Sequence, residues 1–83
     1  MKKTDYFKIR VTPEQSEAVQ IALFKSGVMW AGNTSTIKNT TNPFLFNTKR
    51  GITFALCGSD TDFNLNILPE LTFEEFKTRY NVR

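Results

Sequence analysis

The sequence contains no histidine and a single cysteine, Cys57. Histidine is the commonest general base near neutral pH and the commonest metal ligand, so its absence excludes nucleophilic systems built on a Ser-His or Cys-His pair. One cysteine without histidine also excludes a structural zinc site or a disulfide within one chain. A fold held by packing alone suits a reducing compartment, so we expect a cytoplasmic protein in which Cys57 is a small buried side chain and not a reactive thiol.

Other signatures of catalysis or metal binding are also missing. The glycines are scattered and form no phosphate-binding loop. Asp60 and Asp62 supply too few oxygen ligands for a calcium loop, and we interpret them as part of a solvated acidic turn. Glu74 and Glu75 fit the first turn of a helix, where the dipole favours negative charge. We therefore expect a protein that is not an enzyme and needs no metal or cofactor, with a Tyr or Lys acid–base system as the open alternative.

Long apolar segments and strong charge are absent as well. No run reaches the ~18 apolar residues of a membrane span, and no apolar segment follows Lys2 and Lys3, which argues against a signal peptide. The net charge of +3 is mild, whereas a dedicated nucleic-acid binder has a denser basic face and a DNA mimic is strongly acidic. Membranes and nucleic acids are therefore not expected partners, although weak stacking on single strands stays a third possibility.

The residues that are present predict one α+β domain covering residues 1–83. A chain of 83 residues suffices for one domain, and 40% hydrophobic with 23% charged residues is typical of globular proteins. From Tyr6 to Val11, large apolar residues alternate with basic ones, which predicts a half-buried strand. Its buried face would carry Phe7, Ile9 and Val11, and its solvent face Lys8 and Arg10.

A helix is predicted from Pro13 to about Ser26. Thr12 is a suitable N-cap, Gln15 completes a capping box with it, and proline is favoured at the first helical position. Apolar residues then recur at helical spacing, and Gly27 is a natural C-terminal cap.

Shorter elements follow the predicted helix. Val28–Ala31 predicts a short second strand, and the polar stretch Gly32–Asn42 predicts a long loop, with a short strand near Thr36–Asn39 as an option. A long loop in so small a domain is often functional. Pro43–Asn47 and Ile52–Leu56 then predict the two strands of a hairpin.

The C-terminal half completes the predicted order of elements. Gly51 can supply the positive φ that the hairpin turn needs. Cys57–Asp62 predicts a turn-rich loop, and Phe63–Leu68 predicts a further edge strand that Pro69 would end. Thr72 opens a second capping box ahead of a short helix with an aromatic face. The order β-α-β-β-β-(β)-α predicts a mixed or antiparallel sheet of about four to five strands, with one long helix and a short C-terminal helix.

The most informative feature is a set of aromatic and basic residues. Phe44 and Phe46 alternate with Leu45, so large apolar side chains occupy both faces of one strand. Either the sheet is covered on both faces, or one face is exposed at a site or an oligomer contact. Rings and cations together suit a nucleobase with phosphates, because rings stack on bases and cations bind the anion. The alternative interpretation is that the rings are core and the cations are solvated surface. The predicted ligand-binding residues are Arg10, Trp30, Lys38, Phe44, Phe46, Lys49 and Arg50.

Four segments also show a familiar pattern. They are Val19–Trp30, with the form VQ..LF..G..W, then Pro43–Phe46, Ile52–Phe54 and Glu70–Phe76. In these segments the chain resembles small accessory proteins encoded by tailed bacteriophages, and the resemblance covers most of its length. It implies a counter-defence protein in the cytoplasm of the host cell, which binds either a host protein or a nucleotide signal of the cyclic or ADP-ribose type.

We therefore expect a phage counter-defence protein that sequesters a nucleotide-derived immune signal without cleaving it. The stacking side chains would be Trp30, Phe44 or Phe46, the phosphate ligands Arg10, Lys49 and Arg50, and the closing loop the hydroxyl-rich segment around Lys38. Because a chain this short leaves little room for an enclosed pocket, we expect a homo-oligomer. The alternative function is a protein–protein inhibitor of a host defence enzyme, with the aromatic side chains as anchors.

Overall fold

A computed structural model describes residues 6–55 and 60–82. They form an α+β fold with a four-stranded mixed sheet and three helices, which confirms the predicted fold class. In chain order the elements are β1 (Phe7–Arg10), α1 (Pro13–Lys25), β2 (Phe44–Thr48), β3 (Gly51–Phe54), α2 (Asp60–Leu65), β4 (Glu70–Leu71) and α3 (Phe73–Tyr80). The predictions for Lys2, Lys3, Leu56 and Cys57 concern residues outside the described ranges.

The strands lie in the order β3-β2-β1-β4. β2 pairs antiparallel with both β1 and β3, so the predicted hairpin is confirmed, and β4 runs parallel to β1. The register sets Ile9 opposite Leu45 on one side and Leu71 on the other. Residues directly opposite share a face, and we call this side of the sheet the α1 face and the other side the α2 face.

The larger core lies between the α1 face and helices α1 and α3. Helix α1 has the predicted boundaries because Thr12 Oγ1 accepts a hydrogen bond from the Gln15 amide (3.2 Å), while the Thr12 amide donates to Gln15 Oε1 (3.0 Å). Gly27, at φ 91°, follows the helix end. The buried members of this core are Phe7, Ile9, Val11, Val19, Ala22, Leu23, Trp30, Leu45, Ile52, Leu71 and Phe76.

Gly51 fixes the geometry of the β2–β3 turn. Its φ of 117° is strained for any residue with a side chain. A Cβ atom there would also collide with the carbonyl oxygen of Met29, which lies against the turn. Glycine at this position therefore shapes the turn and lets the segment after α1 approach the edge of the sheet.

The strand predicted at Val28–Ala31 is wrong in extent. Only Trp30 forms a β-bridge, parallel to Ile52 at the outer edge of β3. Asn33, at φ 65°, then turns the chain away from the sheet. The long loop is present as predicted, and no strand forms at Thr36–Asn39.

The edge strand predicted at Phe63–Leu68 is also wrong, because the first part of that segment is helix α2. Apolar residues at alternate positions suggested a strand, but only Phe63 of them is buried. Its ring lies against Phe44 and Phe46, with centroid distances of 4.7 and 5.9 Å. The smaller core therefore covers the α2 face, and both faces of the sheet are packed.

The expectation that Lys8 lies on a solvent-exposed face of β1 is wrong. Its side chain is buried, at 8% exposure, beneath α2. Nζ donates hydrogen bonds to the carbonyl oxygens of Phe63 (2.7 Å) and Asn66 (2.9 Å) and lies 4.7 Å from the Phe63 ring centroid. The ammonium thus binds carbonyl groups at the C-terminal end of α2, where helices leave acceptors unpaired.

Helix α3 closes the larger core. It begins at Thr72 with the predicted capping box, in which Thr72 Oγ1 accepts from the Glu75 amide (3.0 Å). Phe76 packs against Phe7 with ring centroids 5.7 Å apart. Within residues 6–55 and 60–82, no helix is both long and apolar enough to cross a membrane.

Candidate functional site

The seven predicted ligand-binding residues divide between the two faces of the sheet. Arg10, Phe44 and Phe46 lie on the α2 face, while Trp30 and Lys38 lie beyond the edge of β3 on the α1 side. Lys49 and Arg50 form the turn between β2 and β3. One chain therefore does not assemble all seven residues around a single ligand.

Arg10 is engaged within the chain. Its guanidinium donates to Glu70 Oε2 (3.2 Å), Asp60 Oδ1 (3.4 Å) and Asn64 Oδ1 (3.1 Å). The guanidinium carbon also lies 4.6 Å from the ring centroid of Phe63. These contacts connect α2 to the two strands beneath it, so the position of Arg10 is explained by the packing of the helix.

Phe44 and Phe46 are buried under α2. Both rings stack on Phe63, at interplanar angles of 29° and 18°. Stacking on a nucleobase needs an open ring face. In this structure Phe63 occupies that place, so these two side chains belong to the smaller core.

Trp30 is covered as well, with 4% of its surface exposed. The ring of Phe54 meets it edge-on at 5.9 Å, and Lys38 Nζ lies 5.3 Å from its ring centroid. The backbone of Lys38 is held by Gln20, which accepts from the Lys38 amide (3.0 Å) and donates to the Lys38 carbonyl (2.7 Å). A fully buried glutamine of α1 thus attaches the long loop to the core.

A concave site lies where the β2–β3 turn meets the segment after α1, and we call it the turn pocket. Its volume is about 280 Å³. It is lined by Tyr6, Gly27, Val28, Met29, Trp30, Asn33, Asn47, Thr48, Lys49, Arg50 and Gly51. Three of the predicted ligand-binding residues, Trp30, Lys49 and Arg50, therefore come together here.

The turn pocket is electropositive. Lys49 and Arg50 are exposed, and no carboxylate of the described residues forms a salt bridge with either of them. Among the lining residues that the structure describes there is no aspartate or glutamate. The turn itself is fixed by Thr48, whose Oγ1 accepts from the Arg50 amide (3.1 Å) and donates to the Gly51 carbonyl (2.8 Å). The backbone that carries the two cations is thus held at a defined position beside the pocket.

Polar groups of other elements complete the lining. Tyr6 is half-buried, Asn33 is exposed at its positive-φ turn, and Asn47 is buried on the α1 face opposite Phe7. In addition, Trp30 Nε1 is buried and has no hydrogen-bond acceptor among the described residues. The lining therefore combines hydrogen-bonding groups with one partly exposed aromatic ring.

Sequence reasoning missed Tyr6, Asn33 and Asn47 as pocket residues. Asn47 lies two residues after Leu45 and therefore on the same, core-facing side of the strand. A polar residue at such a position is a signal that the sequence offers. For Tyr6 and Asn33 the signal was absent. Asn33 reaches the pocket because its segment is bridged to the sheet edge at Trp30, and Tyr6 because it precedes β1, which pairs with β2.

A second, shallower groove lies on the other side of Trp30. It has a volume of about 430 Å³ and includes Lys38, Thr53 and Phe54 in its lining. Among the residues that the structure describes, no three His, Cys, Asp or Glu side chains are placed to hold a metal ion.

Comparison with protein-family models, curated proteins and solved structures gave no match for this chain. The resemblance to phage accessory proteins therefore stays a prediction.

Proposed function

We propose that the chain binds a small phosphate-bearing molecule of the nucleotide type in the turn pocket and releases it unchanged. The observation that supports this proposal is the pair of exposed cations, Lys49 and Arg50, on a hydrogen-bonded turn beside a polar concave site. The described lining residues of this site include no aspartate or glutamate. Arginine binds phosphate oxygens in a bidentate way and lysine supplies a point charge, so the two side chains suit a phosphate together.

The size of the turn pocket favours one nucleotide unit. At about 280 Å³ it lies just below the usual volume of ligand sites, roughly 300–1,000 Å³. The rings first expected to stack on the base are buried, so the partly exposed ring of Tyr6 takes that role in the proposal. Asn33, which is exposed at its positive-φ turn, would supply hydrogen bonds to the base or the sugar. A cyclic dinucleotide would bind with one half in the pocket and the other half outside it.

Binding without conversion is favoured by the lining residues. Hydrolysis of a phosphate ester or glycosidic bond needs a positioned acid or base, and the described lining residues include no carboxylate and no histidine. Together with the resemblance to phage accessory proteins, this supports sequestration of a nucleotide-derived immune signal in a host cytoplasm. Tyr6 and Lys49 are the other titratable groups of the pocket, and recovery of the ligand intact tests whether they act on it.

The test is calorimetric titration with cyclic dinucleotides, cyclic ADP-ribose isomers and the corresponding mononucleotides. We expect binding of at least one ligand, a loss of about tenfold or more in affinity for Lys49→Gln or Arg50→Gln, and recovery of the ligand intact by chromatography. Lys25→Gln, an exposed lysine in the last turn of α1, is the matched charge control. No binding of any ligand by folded protein, or equal losses in Lys49→Gln and the control, would reject the turn pocket.

The alternative of a protein–protein inhibitor is favoured by a different observation. Met29 and Phe54, on either side of the buried Trp30, are 41% and 40% exposed. Partly exposed apolar side chains around a rigid centre are typical anchors for a partner protein. The test is a pull-down from host lysate. This alternative would be selected if the wild type and Lys49→Gln both retain a host protein in stoichiometric amount and Phe54→Ser loses it.

A further inference from the structure

Two positive charges lie next to each other at the turn pocket. Lys49 and Arg50 are consecutive residues of the β2–β3 turn, both are exposed, and both line the pocket. Neither forms a salt bridge with a carboxylate of the described residues. Like charges this close repel each other, so a bound anion that neutralises only one of them leaves the other uncompensated.

The rest of the described lining adds no charge that would alter this balance. The segment 27–33 after α1 contains no ionisable side chain, and β2 contributes Asn47 and Thr48. Tyr6, which precedes β1, is the remaining ionisable residue among the lining residues that the structure describes. These residues therefore offer an anion two positive charges and no negative one.

The volume of the pocket limits where the ligand can carry its negative charges. About 280 Å³ is room for one nucleotide unit and not for two. A phosphodiester carries one negative charge, and in a cyclic dinucleotide the two diesters are separated by sugars. A terminal phosphate carries up to two charges near neutral pH, because its second pKa is about 6. A pyrophosphate carries its charges on adjoining phosphates.

We propose that the turn pocket selects nucleotides with two adjacent negative charges, on a terminal phosphate or a pyrophosphate, over nucleotides whose phosphates are isolated diesters. This inference rests on the proposed function and narrows the ligand class within it. The guanidinium of Arg50 can bind two phosphate oxygens at once, and Lys49 supplies the second charge. Because Thr48 already holds the turn backbone, binding there loses less conformational entropy than binding to a mobile loop.

The size of the preference follows from Coulomb attraction. One further negative charge beside two exposed cations, screened by salt, corresponds to about tenfold in affinity. A change of pH makes the same comparison on a single ligand, since about a tenth of a terminal phosphate is doubly charged at about pH 5 and nearly all of it at about pH 7.5. Affinity for a nucleoside 5′-monophosphate should therefore rise about fivefold over this interval. The chain contains no histidine, the side chain whose ordinary pKa lies in the same interval.

The experiment is calorimetric titration of the full chain with nucleoside 5′-monophosphates and the matching 3′,5′-cyclic monophosphates of adenine, guanine and uracil. Each pair shares base and sugar and differs in the charge of the phosphate. We expect a 5′-monophosphate to bind about tenfold more tightly than its cyclic partner at about pH 7.5, and less than about twofold more tightly at about pH 5. The cyclic ligand carries one charge at both pH values, so its affinity should not change.

ADP-ribose separates the two sources of adjacent charge. Its pyrophosphate keeps both charges throughout, so its affinity should be the same at the two pH values and higher than that of cyclic adenosine monophosphate. Circular dichroism at both pH values verifies that the chain is folded.

The variants connect the preference to the two cations. Lys49→Gln leaves one cation on the turn, so the preference for the 5′-monophosphate should fall from about tenfold to about threefold. Lys25→Gln, in the last turn of α1 and outside the pocket, should keep the full preference.

Three outcomes would overturn the selection. Equal affinity for both members of every pair at about pH 7.5, with losses for both in Lys49→Gln, overturns the selection but retains the turn pocket as the binding site. A folded chain that binds a cyclic dinucleotide and none of these ligands has the same meaning for the selection. A chain that binds no nucleotide at all overturns both this inference and the proposed function.

Discussion

Replacing Lys8 by methionine should destabilise the fold more than any change of an exposed cation. Methionine retains the apolar stem of the side chain and removes the ammonium, which donates to the carbonyls of Phe63 and Asn66 at 2.7 and 2.9 Å. Hydrogen bonds to charged groups contribute about 1.5–3 kcal/mol each. Part of this lost free energy is offset, because folding of the variant no longer removes a charged ammonium from water. We expect a net loss of about 2–4 kcal/mol.

This loss is large for a small domain, whose total stability is about 5–15 kcal/mol. Urea denaturation followed by circular dichroism measures it directly, and the slope with urea should be unchanged if the variant keeps the native fold. In thermal denaturation the same loss lowers the midpoint by roughly 8–32 °C.

Arg10→Gln is the matched control, since Arg10 lies on the same strand and the same face as Lys8. Its ion pairs with Asp60 and Glu70 are exposed, and exposed pairs contribute less than about 1 kcal/mol. A Lys8→Met variant as stable as Arg10→Gln would show that the ammonium does not hold α2, and the explanation of the buried lysine would be incorrect.

Three further changes test other parts of the fold. Gly51→Ala should cost about 1–3 kcal/mol by urea denaturation, because of its positive φ and the close carbonyl of Met29. Gln20→Met should leave the backbone of Lys38 without its two hydrogen bonds and make the long loop more sensitive to limited proteolysis, whereas unchanged cleavage would contradict the anchoring role. Phe63→Ala should cost about 3–5 kcal/mol, since it removes the centre of the smaller core, and a loss below about 1 kcal/mol would contradict this packing.

Several elements could be predicted because their signals are local. Thr12 with Gln15 and Thr72 with Glu75 specify helix starts through hydrogen bonds that span three residues. The alternation of Phe7 and Ile9 identifies one buried strand face, and Gly51 marks a turn that needs a positive φ. These features depend on neighbouring residues, so they do not require knowledge of the fold.

The errors occurred where a distant contact outweighed the local pattern. Phe63, Leu65 and Ile67 alternate as in a strand. Of these three side chains only Phe63 packs on Phe44 and Phe46, so the alternation does not reflect a buried strand face, and the segment begins as helix α2. Lys8 is charged and yet buried, because carbonyl oxygens at the end of α2 accept the hydrogen bonds that its ammonium would otherwise donate to water. Neither outcome can be derived from residues adjacent in sequence.

The candidate site was only partly predictable for the same reason. Lys49 and Arg50 were identified because a hairpin turn places its residues at the surface. Trp30 lines the same pocket because Gly51 lets its segment approach the sheet edge, while Phe44 and Phe46 lie on the opposite face. Composition also set the chemistry in advance, since a chain without histidine has few groups that act as a base near neutral pH.

By itself, the sequence determined the boundaries of α1, the start of α3, the hairpin, the α+β class and the scarcity of catalytic groups, because periodicity, capping and side-chain chemistry act over a few residues. Only the tertiary structure decided that both faces of the sheet are covered, that Lys8 is buried, and which cations share a pocket with Trp30. Those outcomes depend on contacts between residues distant in the sequence, such as Lys8 with Phe63, and the free energy of such contacts is defined only when the chain is folded.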